Sequence, residues 1–298
     1  MLENEVMGMG LRLSKEEAEV IQPEGLSLEE AFASVTHLAI GAHPDDVEIV
    51  GYVGIRECFR QCNKGFAGVV CTNGAGGIRA GITEGIGDEQ MVRIRRDEQR
   101  KAAVVGEYRV LIQLGYGSEE IRDRRNLLPD HDLKAILRVL RPRVLYTHNP
   151  ADKHPTHVAV FARVLAAVRG LPTELRPKEM YGCEVWRDLD WMPDEEKVIF
   201  RLEGEDRLFS ALLGVYESQL SGGKRYDVAC RGRWAAHATF HDPYSPDASA
   251  AVALAMDLMP LIQDDSMSAV EFVLRKIDRF RESVRANLEG YVEGQILS

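Results

Sequence analysis

The 298 residues are 45% hydrophobic and 28% charged, the balance of a soluble globular chain that can bury an ordinary core. A formal net charge of −10 excludes the positive field that nucleic acid binding needs. No run of about 18 uninterrupted apolar residues signals a membrane span. The start carries Glu3 and Glu5 without an apolar secretion stretch, and five scattered cysteines read as reduced thiols, so a cytoplasmic location is expected.

Residues 1–34 read as an N-terminal helical extension, because Ser14 with Glu17 and Ser27 with Glu30 both sit at capping-box spacing. Residues 35–298 read as a single α/β domain. Strands are expected at His37–Ala42, Phe66–Thr72, Tyr108–Leu114, Val144–His148 and Met180–Val185. Helices are expected between them, at Glu48–Gln61, Glu89–Val105, His131–Leu140 and His157–Val168. This alternation predicts a Rossmann-like three-layer sandwich with a mostly parallel sheet. Cys58 and Cys62, four apart on a predicted helix, read as packing residues rather than ligands.

After Trp186 the pattern loosens into an irregular C-terminal part, with a strand expected at Lys197–Leu202 and a helix at Glu205–Leu220. Val270, Val273, Ile277, Phe280, Val284 and Leu288 then recur at helical steps, which predicts a helix whose apolar stripe joins the core or contacts another subunit. That stripe points to a homo-oligomer.

Chemistry concentrates in two clusters, each following a strand-like run. His43-Pro44-Asp45-Asp46 ends the first strand, and His154-Pro155-Thr156-His157 follows the fourth. Parallel strands bring such loops to one sheet edge, where open α/β folds place their sites. His43, Asp46 and His157 supply three ligands for a zinc ion and leave a position open. Asp45 is then free as a base for an attacking water. His154 is a second polar group, expected to be protonated and to hold the oxyanion or protonate the leaving amine. Taken alone, the first cluster could equally be a turn that caps a helix. The remaining histidines read as structural, with His148 set apart because it ends the strand leading to the second cluster. Thr72-Asn73-Gly74-Ala75-Gly76-Gly77 reads as a wall of the cleft, with Arg79 reaching toward a ligand. Trp186, Trp191, Tyr216, Trp234 and Tyr244 are aromatic candidates for stacking on a sugar or for the core.

At these residues the chain resembles the LmbE-like, PIG-L type N-acetylglucosaminyl deacetylases, whose first motif appears as Ala42-His43-Pro44-Asp45-Asp46-Val47-Glu48 and second as His154-Pro155-Thr156-His157. The resemblance runs from about residue 35 to about 186. It implies zinc held by His43, Asp46 and His157, Asp45 as general base and His154 as its acidic partner. It also implies removal of an acetyl group from an amino-sugar-containing small molecule. An Arg-x-x-Glu step at Arg95 and Glu98 is similar to one whose arginine contacts substrate, with Arg96 as the local alternative. Two departures touch the substrate side. Gly115-Tyr116-Gly117-Ser118-Glu119 puts Ser118 where many members carry an aspartate, and Tyr216-Glu217-Ser218-Gln219 stands for a late His-x-Ser-Gln element. The competing readings are a non-catalytic sugar- or nucleotide-binding module and a metal-dependent phosphoesterase.

Overall fold

Runs such as Leu38–Ile40 and Phe66–Thr72 are apolar on both faces, so their peptide groups can be satisfied only inside a sheet covered by helices on each side. The computed structural model describes residues 11–23, 25–202 and 207–292. Its strands are β1 Glu19–Ile21, β2 His37–Gly41, β3 Phe66–Thr72, β4 Val110–Tyr116, β5 Val144–His148, β6 Glu179–Cys183, β7 Lys197–Arg201 and β8 Val252–Asp257. The helices are α1 Leu28–Ala33, α2 Asp46–Val50, α3 Tyr52–Cys58, α4 Asp88–Val105, α5 Ser118–Arg122 and α6 Leu128–Leu140. They continue with α7 Pro155–Arg169, α8 Arg207–Gly214, α9 Glu217–Leu220, α10 Tyr226–Phe240, α11 Met259–Gln263 and α12 Ala269–Val292.

The strands form one mixed sheet in the order β1-β4-β3-β2-β5-β6-β8-β7. Its centre, β4-β3-β2-β5-β6, is parallel throughout. The edges are antiparallel, β1 on β4 and the β8–β7 pair on β6. Chain direction across the sheet reverses between β2 and β5, so a crevice opens at their carboxyl ends. Side chains of β2 alternate between two cores. Leu38 and Ile40 pack with Phe32, Leu133, Leu137, Val160 and Val164, while Ala39 packs with Val47, Tyr52, Phe66, Tyr108 and Phe209 on the other face.

Several expectations change. The N-terminal segment is not purely helical, because residues 19–21 form the edge strand β1. Ser27 and Glu30 do close a capping box on α1. Ser14, however, spends its amide and hydroxyl on Asp132 at 2.9 and 2.7 Å. Glu3 and Glu5 lie outside the described residues. The expected helix 48–61 breaks at Gly51, where a Cβ would stand 2.6 Å from the Ala39 Cβ. The helix expected at 205–220 appears as α8 and α9, with residues 205 and 206 outside the described residues. No described helix is long and apolar enough to cross a membrane. The stripe of α12 joins the core only at its start, where Val273 packs against it beside the buried Phe272, while Ile277, Phe280 and Val284 are 41%, 43% and 40% exposed.

Candidate active site

β2 can hand over to α2 within a few residues because Gly41 leaves room. A Cβ there would sit 2.9 Å from the Asp46 Cβ and 3.1 Å from the Val47 amide nitrogen. The loop folds back on itself, the Asp46 amide donating to the His43 carbonyl at 3.1 Å. Asp45 sits at φ 95°, a left-handed conformation that costs a non-glycine residue about 1–3 kcal/mol and clusters at functional sites. Its carboxylate accepts from Arg95 Nη2 at 3.1 Å, and the same nitrogen donates to the Pro44 carbonyl. Arg95 Nε and Nη1 are buried without a hydrogen-bond partner.

The second loop follows β5. Asp152 accepts from the His154 amide at 2.8 Å and the Trp186 amide at 3.0 Å. His154 then caps α7, its Nδ1 accepting the Thr156 amide at 3.2 Å, with Pro155 opening the helix. His157, one turn on, is fully buried and points back at β2, with Asp152 3.5 Å behind its Nδ1.

The two loops bring His43, Asp46 and His157 together. His43 Nδ1 lies 3.0 Å from Asp46 Oδ2 and 3.2 Å from His157 Nε2, and Asp46 Oδ2 lies 3.2 Å from His157 Nε2. Bonds of about 2.0–2.1 Å at tetrahedral angles separate ligand atoms by about 3.3 Å, so this donor set fits a zinc-sized cation. Two overlapping trios also lie within 4.8 Å, His43–His154–His157 and Asp46–His148–His157. Both extra histidines have one ring nitrogen engaged by a backbone amide. His148 Nε2 accepts the Ala42 amide at 2.9 Å, and His154 Nδ1 accepts that of Thr156. His43, Asp46 and His157 lie closer together than either trio requires, within 3.0–3.2 Å of one another.

The electrostatics separate the two adjacent aspartates. Burial works against the charge on Asp46, yet His157 and His148 hold its carboxyl well below the usual range. For Asp45 burial wins over Arg95, and the Asp46 and Glu48 charges add to it, pushing the carboxyl up to about 7. His157 is raised to about 9 despite its burial, by Asp46 and Asp152. His154 is lowered to about 4 by burial and by His157 and His43. Its Nδ1 accepts a backbone N–H, so the ring is neutral with its proton on Nε2. The expectation of a protonated His154 is corrected accordingly.

His43, Asp45, Asp46, Arg95, Ser118 and His154 line one cavity of about 400 Å³. Arg96 turns away to Glu19 at 3.2 Å. Gly74, Gly76 and Gly77 form a wall of the cavity. Arg79 does not reach it: the guanidinium instead holds the loop, donating to the Ala75, Gly77 and Ile86 carbonyls and to Asp88. Trp186 and Tyr226 reach the cavity, with Lys224 Nζ 4.9 Å over the Trp186 ring. Trp234 stacks on Tyr52 in the core, and Tyr244 is 95% exposed.

Sequence reasoning missed a buried support behind the first motif. Glu48 accepts from Tyr216, Tyr108 and Gln99 at 2.6, 2.7 and 2.8 Å, while Gln99 Oε1 takes the Asp45 amide at 3.3 Å. Ser218 is fastened to Glu98 through its amide at 2.7 Å and its hydroxyl at 2.6 Å, which sets Gln219 on the cavity wall. His148 and Asp152 were likewise missed as supports. The only sequence signal for them was their place at the strand end and two residues before His154.

A parallel-centred α/β sheet with this cluster at its switch point is a Rossmann-like fold with its candidate site where such folds bind ligands. Residues 38–168 match the GlcNAc-PI de-N-acetylase (PIG-L) family. The uncharacterized deacetylase YaiS of Escherichia coli K12 is 31% identical over 144 residues, 45% of this chain and 69% of that protein. The chain belongs to the PIG-L (LmbE-like) deacetylase family. Among solved structures, N,N'-diacetylchitobiose deacetylase from Pyrococcus horikoshii shares the fold with a TM-score of 0.57 and 18% identity, over 80% of this chain and 90% of that one. GalB, the 4-carboxy-2-hydroxymuconate hydratase of Pseudomonas putida KT2440, shares it with a TM-score of 0.58 and 13% identity, over 76% and 96%.

Proposed function

We propose that the protein is a zinc-dependent deacetylase that removes an N-acetyl group from an amino-sugar-containing small molecule. The observation that carries this reading is the split between neighbouring carboxylates, one among the ligand trio and the other outside it with its pKa near neutrality. A zinc ion held by His43, Asp46 and His157 supplies Lewis-acid polarisation of the amide carbonyl and lowers the pKa of water beside it.

Asp45 is the proton acceptor. As water attacks the amide carbon, an O–H bond breaks and its proton passes to the Asp45 carboxylate, whose pKa suits a base at neutral pH. His154, with Nδ1 engaged by the Thr156 amide, has its Nε2–H left to donate to the developing oxyanion. The C–N bond then breaks, the proton held by Asp45 goes to the leaving nitrogen, and acetate and a free amine result. Arg95 acts through Asp45, fixing the base from behind. Ser118 and Trp186 offer the substrate a hydroxyl and an aromatic face.

A panel of N-acetylated amino-sugar conjugates, run beside model phosphoesters on protein stripped of metal and reloaded with zinc, tests the reading. Amine release restored by zinc is expected. Turnover of the phosphoesters alone would replace it with the phosphoesterase, and inactivity without bound zinc would replace it with the binding module.

A further inference from the structure

α12 carries two opposite seams. Phe272, Lys276 and Arg279 face this chain's own domain: Phe272 is buried, while Lys276 pairs with Glu196 and Arg279 with Glu195 and Glu196. About 200° around the helix, the second seam runs through Val270, Leu274, Ile277, Arg281, Val284, Leu288 and Tyr291 in alternating steps of four and three. Its apolar members are 65%, 44%, 41%, 40%, 57% and 81% exposed in that order. So large a contiguous apolar stripe on one exposed helix marks an interaction surface. The 4–3 repeat over three heptads is that of a two-stranded coiled coil along about 36 Å of helix.

We propose that this seam pairs antiparallel with α12 of a second copy of the chain. Arg281 decides the direction. In a parallel pair it would meet its own copy in the core, whereas the antiparallel pair sets it across from the partner subunit's Val284. The same register brings Asp278 beside the partner subunit's Arg285, twice by symmetry, on the flank where antiparallel helices place their charge pairs. Within one chain these two groups have only exposed contacts, Asp278 with Arg281 at 3.2 Å and Arg285 with Glu289 at 4.0 Å. They are free to turn outward at little cost. Acidic and basic residues alternate along the helix, which disfavours a lipid surface as the occupant.

Light scattering on the full chain at micromolar concentration tests this. A mass of twice 33.3 kDa is expected. The double variant Ile277→Glu, Val284→Glu should be monomeric with unchanged helical circular dichroism. Asp278→Arg and Arg285→Asp should each weaken the dimer by about tenfold, and combining them should restore it. A monomeric wild type, whether it stays alone, binds anionic vesicles or captures another protein, overturns the proposal. So does a dimer that ignores the glutamates, or charge swaps that fail to rescue one another.

Discussion

Asp45 and Asp46 are neighbours in sequence, and opposite surroundings give them opposite proton affinities. Asp46 is held ionised by two imidazoles, whereas Asp45 is buried against one guanidinium and two like charges. With Asp45 as the base, kcat/KM falls as pH drops through the carboxyl's pKa. A cation in the trio opposes that upward shift and lowers the pKa. The pH–rate profile should therefore show an acidic limb with a midpoint at or below about 7, and a pH-independent rate from pH 5 upward in Asp45→Asn. His157 makes a second prediction. Its pKa near 9 means the ring carries a proton at pH 7 that a ligated ring cannot keep. Zinc binding should release about one proton, and apparent affinity should fall about tenfold per unit as pH decreases. Calorimetry in buffers of different ionisation enthalpy measures the first, and competition with a chromophoric chelator the second. Residue types and spacing made this cluster legible in the sequence. The supporting role of His148 was not, because it rests on a hydrogen bond to Ala42 across 106 residues of chain.

Elements matter here through the turns that end them. Gly41 lets α2 begin directly under the ligand trio, so Gly41→Ala forces the Asp46 side chain or the Val47 amide to move. We expect a loss of about 1–3 kcal/mol in urea denaturation and roughly tenfold or more in metal affinity. Unchanged metal affinity would show that the turn does not set Asp46. The parallel strands and long amphipathic helices were readable from period and length, since both are buried by their own sequence neighbours. Strands β1, at one edge, and β8, between β6 and β7, were not. β1 has three residues, β8 pairs with a strand about 70 residues away, and neither pattern exists until the sheet does. The need for a glycine at position 51 was hidden for the same reason: the clash it avoids is with β2, not with its own turn.

At the scale of the whole molecule, the strand order places both motif loops in one crevice, and the fold by itself stops there. A deacetylase and a hydratase share it, so activity must be argued from side chains. The apolar stripe of α12 shows how far composition reaches. Its helix and its period were legible, while its exposure depended on which face the domain left uncovered. The central claim is that a carboxylate outside the ligand trio moves the proton in an amide hydrolysis. Amine release by zinc-loaded wild type and Asp45→Asn, compared at equal bound metal, tests it most directly. The account predicts full zinc occupancy in both and a loss of about 10²- to 10⁴-fold in the variant; equal rates at equal occupancy would contradict it.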